Sequence, residues 1–137
     1  MPIIDTDAGL APLLREARTI AVVGLSANPA RDSHRVARYL LAAGYEIIPV
    51  NPGLQEVLGV PAVPDLASIG RPVDIVDVFR RKEFLPAIAA EAVRCGARTL
   101  WMQFDTADDL AVATADRGGM NVVADRCIMV EHRRLIA

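Results

Sequence analysis

The segment Thr19 to Ser33, TIAVVGLSANPARDS, constrains this chain more than any other. A mostly apolar run enters a polar turn with one glycine, Gly24, and the turn then opens a helix. Unbroken apolar strands are typical of parallel sheets covered on both faces. The junction of such a strand with a helix N-terminus is also where α/β proteins hold a phosphate, because free amides and the helix dipole converge there. The turn is not the dinucleotide fingerprint, since Ser26 takes the second glycine position and Pro29 closes the segment. The second strand ends in Pro49-Val-Asn51-Pro52, with no carboxylate for a ribose. A phosphate-bearing nucleotide is expected, and NAD is not the favoured one.

Further strands and helices alternate behind this unit. Strands are expected at Ile20–Gly24, Glu46–Val50, Val73–Val78, Ala97–Met102 and Met120–Ala124. Helices are expected over Asp7–Arg18, Ser33–Ala43, Glu83–Arg94, from after Thr106 until Gly118-Gly119 ends it, and over Cys127–Leu135. Gly44 and Gly118-Gly119 act as stops, Pro86 fits only a first turn, and Thr106-Ala-Asp-Asp109 reads as a capping box. Leu54 to Ile69, broken by Pro61 and Pro64, holds only short elements. Right-handed crossovers then give a Rossmann-like doubly wound α/β fold, one domain over residues 1–137. Its parallel sheet of about five strands is expected in the order 3-2-1-4-5, with a crevice above strands one and four.

Composition narrows the function. Hydrophobic residues make up 53% of the chain, with three Phe, two Tyr and one Trp, so aliphatic side chains carry the core. The net charge of −2 argues against general nucleic-acid affinity, which needs a basic footprint. No apolar run reaches membrane-spanning length, and the first residues lack the positive start and apolar run of a signal peptide, so cytoplasmic residence is the default. Cys95 and Cys127 have neither disulfide-framework nor metal-site spacing.

Residues just after each strand share one rim. Gly24, Ser26, Asn28 and Pro29 form the first loop, Asn51 and Pro52 the second, Phe79-Arg80-Arg81 the third, and Gln103 to Thr106 the fourth. Ser26 and the following amides suit phosphate oxygens, and Arg31, Arg35, Arg80 and Arg81 supply cations of matching geometry. A solvated helix face accounts for Arg31 and Arg35 equally well. Asp74 and Asp77 read as turn, edge or loop-anchoring residues. His34 is balanced between ligand contact and an exposed helix face, His132 reads as part of a solvated tail, and Cys127 as a buried thiol. No catalytic constellation assembles, and binding without chemistry is the economical reading.

Five segments in order carry a resemblance: Val23 to Ser33, Gly44 to Pro52, Val76-Asp-Val-Phe-Arg80, Trp101-Met-Gln103 and Asp125-Arg-Cys127. With them the chain resembles the small single-domain CoA-binding proteins, which are related to the N-terminal domain of the succinyl-CoA synthetase alpha subunit. The resemblance implies non-catalytic binding of coenzyme A or an acyl-CoA at the carboxyl ends of the strands. It implies Gly24, Ser26, Asn28 and Pro29 around the phosphates, with Ser33 and Val36 behind them. It places Asn51 and Pro52 on the nucleotide side, Val78, Phe79 and Arg80 along the cofactor, and Gln103 near the pantetheine. Asp105 departs from the family's usual glycine and brings a negative charge towards the phosphate channel. An NAD(P)-binding redox sensor and an interaction subunit without ligand are the alternatives. A protein partner or homodimer stays open.

Overall fold

The protein is described by a computed structural model covering residues 3–137. The elements run α1 (Asp7–Glu16), β1 (Thr19–Val23), α2 (Asp32–Ala42), β2 (Glu46–Val50), β3 (Glu56–Val57), β4 (Val60–Pro61), β5 (Ile75–Val78), α3 (Leu85–Arg94), β6 (Thr99–Met102), α4 (Asp109–Arg117), β7 (Asn121–Ala124) and α5 (Ile128–Leu135). β3 and β4 make a short hairpin; the other five strands form one parallel sheet. Strand alternation divides the core in two. Ile20, Val22, Ile75 and Trp101 pack with Leu10 and Leu14 of α1, Val36 and Leu40 of α2, and Ile128 of α5. Ala21, Val23, Val76, Val78 and Met102 pack with Leu85 and Ala89 of α3 and Ala111 and Ala115 of α4. The doubly wound parallel architecture is as expected.

The strand order is not. The sheet runs β2-β1-β5-β6-β7, which is 2-1-3-4-5 when only its own strands are counted, rather than 3-2-1-4-5. Pro49 supplies a physical reason. Its carbonyl accepts from the amide of Val63 at 2.9 Å on the side of β2 away from β1. A strand residue presents N–H and C=O to the same side, so the donor that proline lacks is missing from that outer edge, and edges are where strand prolines are tolerated. Outside β2 the described residues make the single bridge Val50–Val63 before the chain returns to the free side of β1 as β5. The topological switch therefore lies between β1 and β5, not above strands one and four. The opposite edge is covered at β7, where Ile3 bridges Val122 and the Ile4 amide donates to the Val122 carbonyl at 2.8 Å.

Helix ends follow local chemistry. α2 stops at Gly44, whose φ of 103° lets its amide reach Leu41 O at 3.1 Å and the Tyr45 amide reach Leu40 O at 3.2 Å. Pro86 falls in the first turn of α3. α4 is capped by Asp108, which accepts from the Ala111 amide at 2.9 Å, and not by Thr106. The Thr106 hydroxyl instead donates to Gln103 O at 2.7 Å and closes the turn after β6. His132 is buried rather than solvated: Ile128, Glu131 and His132 form the inner stripe of α5, and His132 Nδ1 pairs with the Tyr39 hydroxyl at 2.8 Å.

Asp74 anchors the start of the sheet, as its loop-anchoring reading expected. Its Oδ2 accepts from the amides of Arg18 at 2.7 Å and Thr19 at 3.1 Å. Burial pulls its pKa up, but these hydrogen bonds and Arg98 outweigh it and hold the carboxyl below its ordinary value. Asp74→Ala leaves both donors unanswered, and a loss of about 1–3 kcal/mol is expected in urea unfolding at pH 7. Because the folded-state pKa is lowered, that contribution is present at neutral pH and fades as pH falls through the carboxylate range. The gap between the proteins should narrow on acidification, and a constant gap would contradict the anchoring role.

Candidate functional site

The turn after β1 is fixed by backbone contact. Gly24 has φ 85°, and a Cβ there would lie 2.7 Å from the carbonyl oxygen of Phe79 and 3.0 Å from Cδ of Arg80. The loops leaving β1 and β5 thus touch where the switch opens a crevice, and only glycine fits that approach. Beyond it, buried Ser33 accepts from the Ser26 amide at 3.0 Å. Buried His34 places Nδ1 2.9 Å from Ser26 O, so an Nδ1–H donates there and the ring is neither exposed nor free. Ser26 Oγ accepts from Asn28 N, and Asn28 Oδ1 accepts from Ala30 N, both at 3.0 Å. The loop is held before any ligand arrives.

No side chain caps the N-terminus of α2. Its first turn borders a cavity of about 540 Å³ lined by Gly24, Ser26, Ala30, Arg31, Asp32, Ser33 and Phe79. Open helix amides favour an anion. Arg31 and Arg80 have no ion-pair partner among the described residues, whereas Arg35 pairs with Asp32 and Arg81 with Glu83. The Arg80 guanidinium lies over the Phe84 ring, 4.3 Å from its centroid.

A second cavity, of about 450 Å³, shares Asp32 and Phe79 with the first. Val36, Phe104, Cys127, Met129 and Val130 give it apolar walls; Arg35, Arg80, Arg81, Gln103, Asp105 and Thr106 add polar ones. The Arg126 guanidinium reaches Glu131 at 2.5 Å, and Arg134 joins Glu131 to Asp7, fixing the wall built by α5 against α1. Asp105 has φ 62°, a conformation suited to glycine, and its amide donates to Asp125 Oδ1 at 3.1 Å.

Beneath this cavity lies Asp77, which is neither turn nor edge. It is fully buried in the sheet, paired in register with Val22 and Trp101. Gln103 Nε2 donates to its Oδ1 at 2.5 Å. Burial pushes the carboxyl up to about 7, against the opposing pull of that hydrogen bond.

The expected residues separate into three groups. Gly24, Ser26, Ser33, Val36, Phe79, Arg80 and Gln103 line the joined cavities. Asn28 and Pro29 form the exposed tip of the first loop, and Asn51 ties the second to it by donating from Nδ2 to Leu25 O at 3.0 Å; Pro52 is exposed beside it. Val78 faces the other way, into the core under α3. Phe104 and Thr106, part of the expected fourth rim loop, line the cavity too; Asp32, Met129 and Val130 complete the walls beyond the expected residues, and their signal is adjacency to the rim segments.

A doubly wound α/β domain with an uncapped helix N-terminus at its topological switch has the architecture in which nucleotide-binding domains place their ligands. The chain belongs to the CoA binding domain family, whose pattern matches residues 18–133, and coenzyme A is the ligand this supports. It is 45% identical over 125 residues to "Uncharacterized protein YneT" of Bacillus subtilis (strain 168), covering 91% of this chain and 93% of that one. A "hypothetical protein from Pyrococcus horikoshii OT3" superposes with a TM-score of 0.94 at 37% identity, covering 97% of this chain and 94% of that one. The "dinucleotide forming Acetyl-coenzyme A synthetase 1" of Ca. Korarchaeum cryptofilum shares the fold at 22% identity and a TM-score of 0.72. There the match takes 82% of this chain but 27% of that enzyme. No helix among the described residues is long and apolar enough to cross a membrane.

The Asp77 carboxyl predicts a pH effect on stability. Between its ordinary 3.8 and about 7 the folded protein keeps a proton that the unfolded chain releases. Stability from this group therefore falls as pH rises through that window. Urea midpoints at pH 5 and pH 8 should show Asp77→Asn gaining on the parent protein at the higher pH. Parallel behaviour of the two would contradict a buried, proton-holding Asp77.

Proposed function

We propose that this domain binds coenzyme A or an acyl-CoA at the carboxyl ends of its parallel strands and performs no chemistry on it. The uncapped N-terminus of α2, opening beside Gly24 onto the rim that carries unpaired Arg31 and Arg80, is the observation that supports this most. The diphosphate lies on the α2 amides, and the arginines answer the remaining phosphate charge. The nucleotide extends towards Asn51 and Pro52, while the pantetheine arm passes Phe79 and enters the apolar cavity beside Gln103. Asn51 engages Leu25 O through Nδ2 and Gly53 N through Oδ1, which favours a loop-holding role over ribose selection as in NAD sites. His34 and His132 both have structural partners, in keeping with a binding role. Kinship with the succinyl-CoA synthetase alpha subunit rests on the shared motifs, and cytoplasmic residence is part of the same proposal.

Calorimetry with CoA and NADPH tests the reading through its charges. The parent protein is expected to prefer CoA. Arg80→Gln should weaken CoA binding by about tenfold or more, the cost of a lost charged hydrogen bond. Asp105→Gly, which removes a carboxylate from the cavity wall and suits φ 62°, should strengthen it by up to about fivefold. Equal CoA affinities in all three proteins would overturn the assigned site, and preference for NADPH would overturn the ligand.

A further inference from the structure

Asp77 Oδ2 is the buried side-chain oxygen or nitrogen that meets no hydrogen-bond partner among the described residues. The other carboxyl oxygen meets Gln103, a residue 5% exposed that lines the cavity of about 450 Å³. The pair therefore reaches from the middle of the sheet to the cavity wall. An ionised carboxylate only accepts hydrogen bonds, and an amide group carries donors at one end and an acceptor at the other. With Asp77 ionised, the Gln103 NH₂ must face inward, and its carbonyl Oε1 is turned to the cavity. With Asp77 protonated, its O–H can donate to Oε1, the amide turns over, and NH₂ faces the cavity instead.

We propose that Asp77 is a positioning residue that acts through Gln103 to make the cavity wall a hydrogen-bond acceptor, selecting an amide N–H of a pantetheine arm. This rests on the CoA reading above. Asp77 itself touches no ligand. Binding favours its ionised form, so affinity falls as pH drops through its titration, and bound ligand in turn favours release of its proton. The reacting equilibrium is a proton passing between the Asp77 carboxyl and water, with the amide rotating to match.

Other groups on the same side titrate or carry charge and must be separated from Asp77. The strands beside it offer Val22 and Trp101, which carry none. The helices packed on that face carry Asp7, Arg15 and Glu16 on α1, Asp32, His34, Arg35 and Arg38 on α2, and Glu131, His132, Arg133 and Arg134 on α5, with Cys127 at its cap. Arg80, Arg81, Asp105, Asp125 and Arg126 lie in the rim loops. Burial lowers the His132 pKa, and CoA's own phosphates also titrate. All of these are common to the parent protein and an Asp77 variant, so a comparison of the two cancels them.

Two measurements test the proposal. In ligand-free protein, the Gln103 side-chain NH₂ signals in ¹⁵N–¹H spectra should move between pH 5.5 and 8.5, and the movement should vanish in Asp77→Asn. In calorimetry, the ratio of CoA affinity at pH 8 to that at pH 6 should be about tenfold larger in the parent than in Asp77→Asn, as for one group near neutrality whose ionised form alone binds. Gln103→Met, which keeps volume and removes the amide, should flatten the ratio as Asp77→Asn does and covers the case in which that variant fails to fold. A pH-independent Gln103 signal, or equal ratios in parent and variants, would overturn the proposal. Failure of every protein to bind CoA would overturn the CoA reading instead, and the ligand-free spectra would still decide whether Asp77 sets the amide.

Discussion

Proline has no amide hydrogen to donate, and at position 49 that deficiency falls on the outer edge of β2. The consequence spreads through the molecule. β2 closes one side of the sheet with only Val63 bridged beyond it, and β5 takes the free side of β1. The chain then winds in opposite directions from β1 and β5, and the helices that follow them lie on opposite faces. A crevice opens where the two directions part. At its base Gly24 and the Phe79 carbonyl approach so closely that no side chain fits between them. The loop after β1 and the Phe79-Arg80 segment are neighbours because of that contact, although Gly24 and Phe79 lie 55 positions apart in the sequence.

The rim combines fixed dipoles with opposed charges. The α2 amides, Arg31 and Arg80 offer positive potential; Asp32 and Asp105 reduce it. A chain of net charge −2 can thus hold an anion locally without a basic surface at large. Ser33 and His34, both buried, grip the two sides of the Ser26 peptide, so little loop ordering remains to oppose binding.

Much of this was legible in the sequence. The five main strands and the stop at Gly44 follow from apolar runs and turn chemistry, and the rim residues follow from strand ends. The order of the strands does not follow from apolar runs; its one sequence signal is Pro49, since a strand proline already speaks for an edge. Contiguous family motifs do not distinguish the two faces of a strand, whereas strand side chains alternate: Phe79 reaches the cavity and the Val78 side chain the core. An acid within Val-Asp-Ile-Val-Asp-Val looks like an edge residue, and only the neighbouring strands reveal Asp77 as buried. For His132 the signal was present in the spacing of Ile128, Glu131 and His132, but the charged neighbours masked it. The observed φ of 62° at Asp105 is a left-handed turn after β6, which suits the glycine that the resemblance implies there.

The proposed seat of coenzyme A is the switch between β1 and β5. Backbone amide spectra of ¹⁵N-labelled protein, recorded as CoA is added, test it most directly. The largest changes are expected at Gly24, Ser26, Asp32, Ser33, Phe79, Arg80 and Gln103. Changes centred instead on Leu66, Gly70, Glu91 and Cys95, which line a cavity at the opposite ends of the strands, would contradict it.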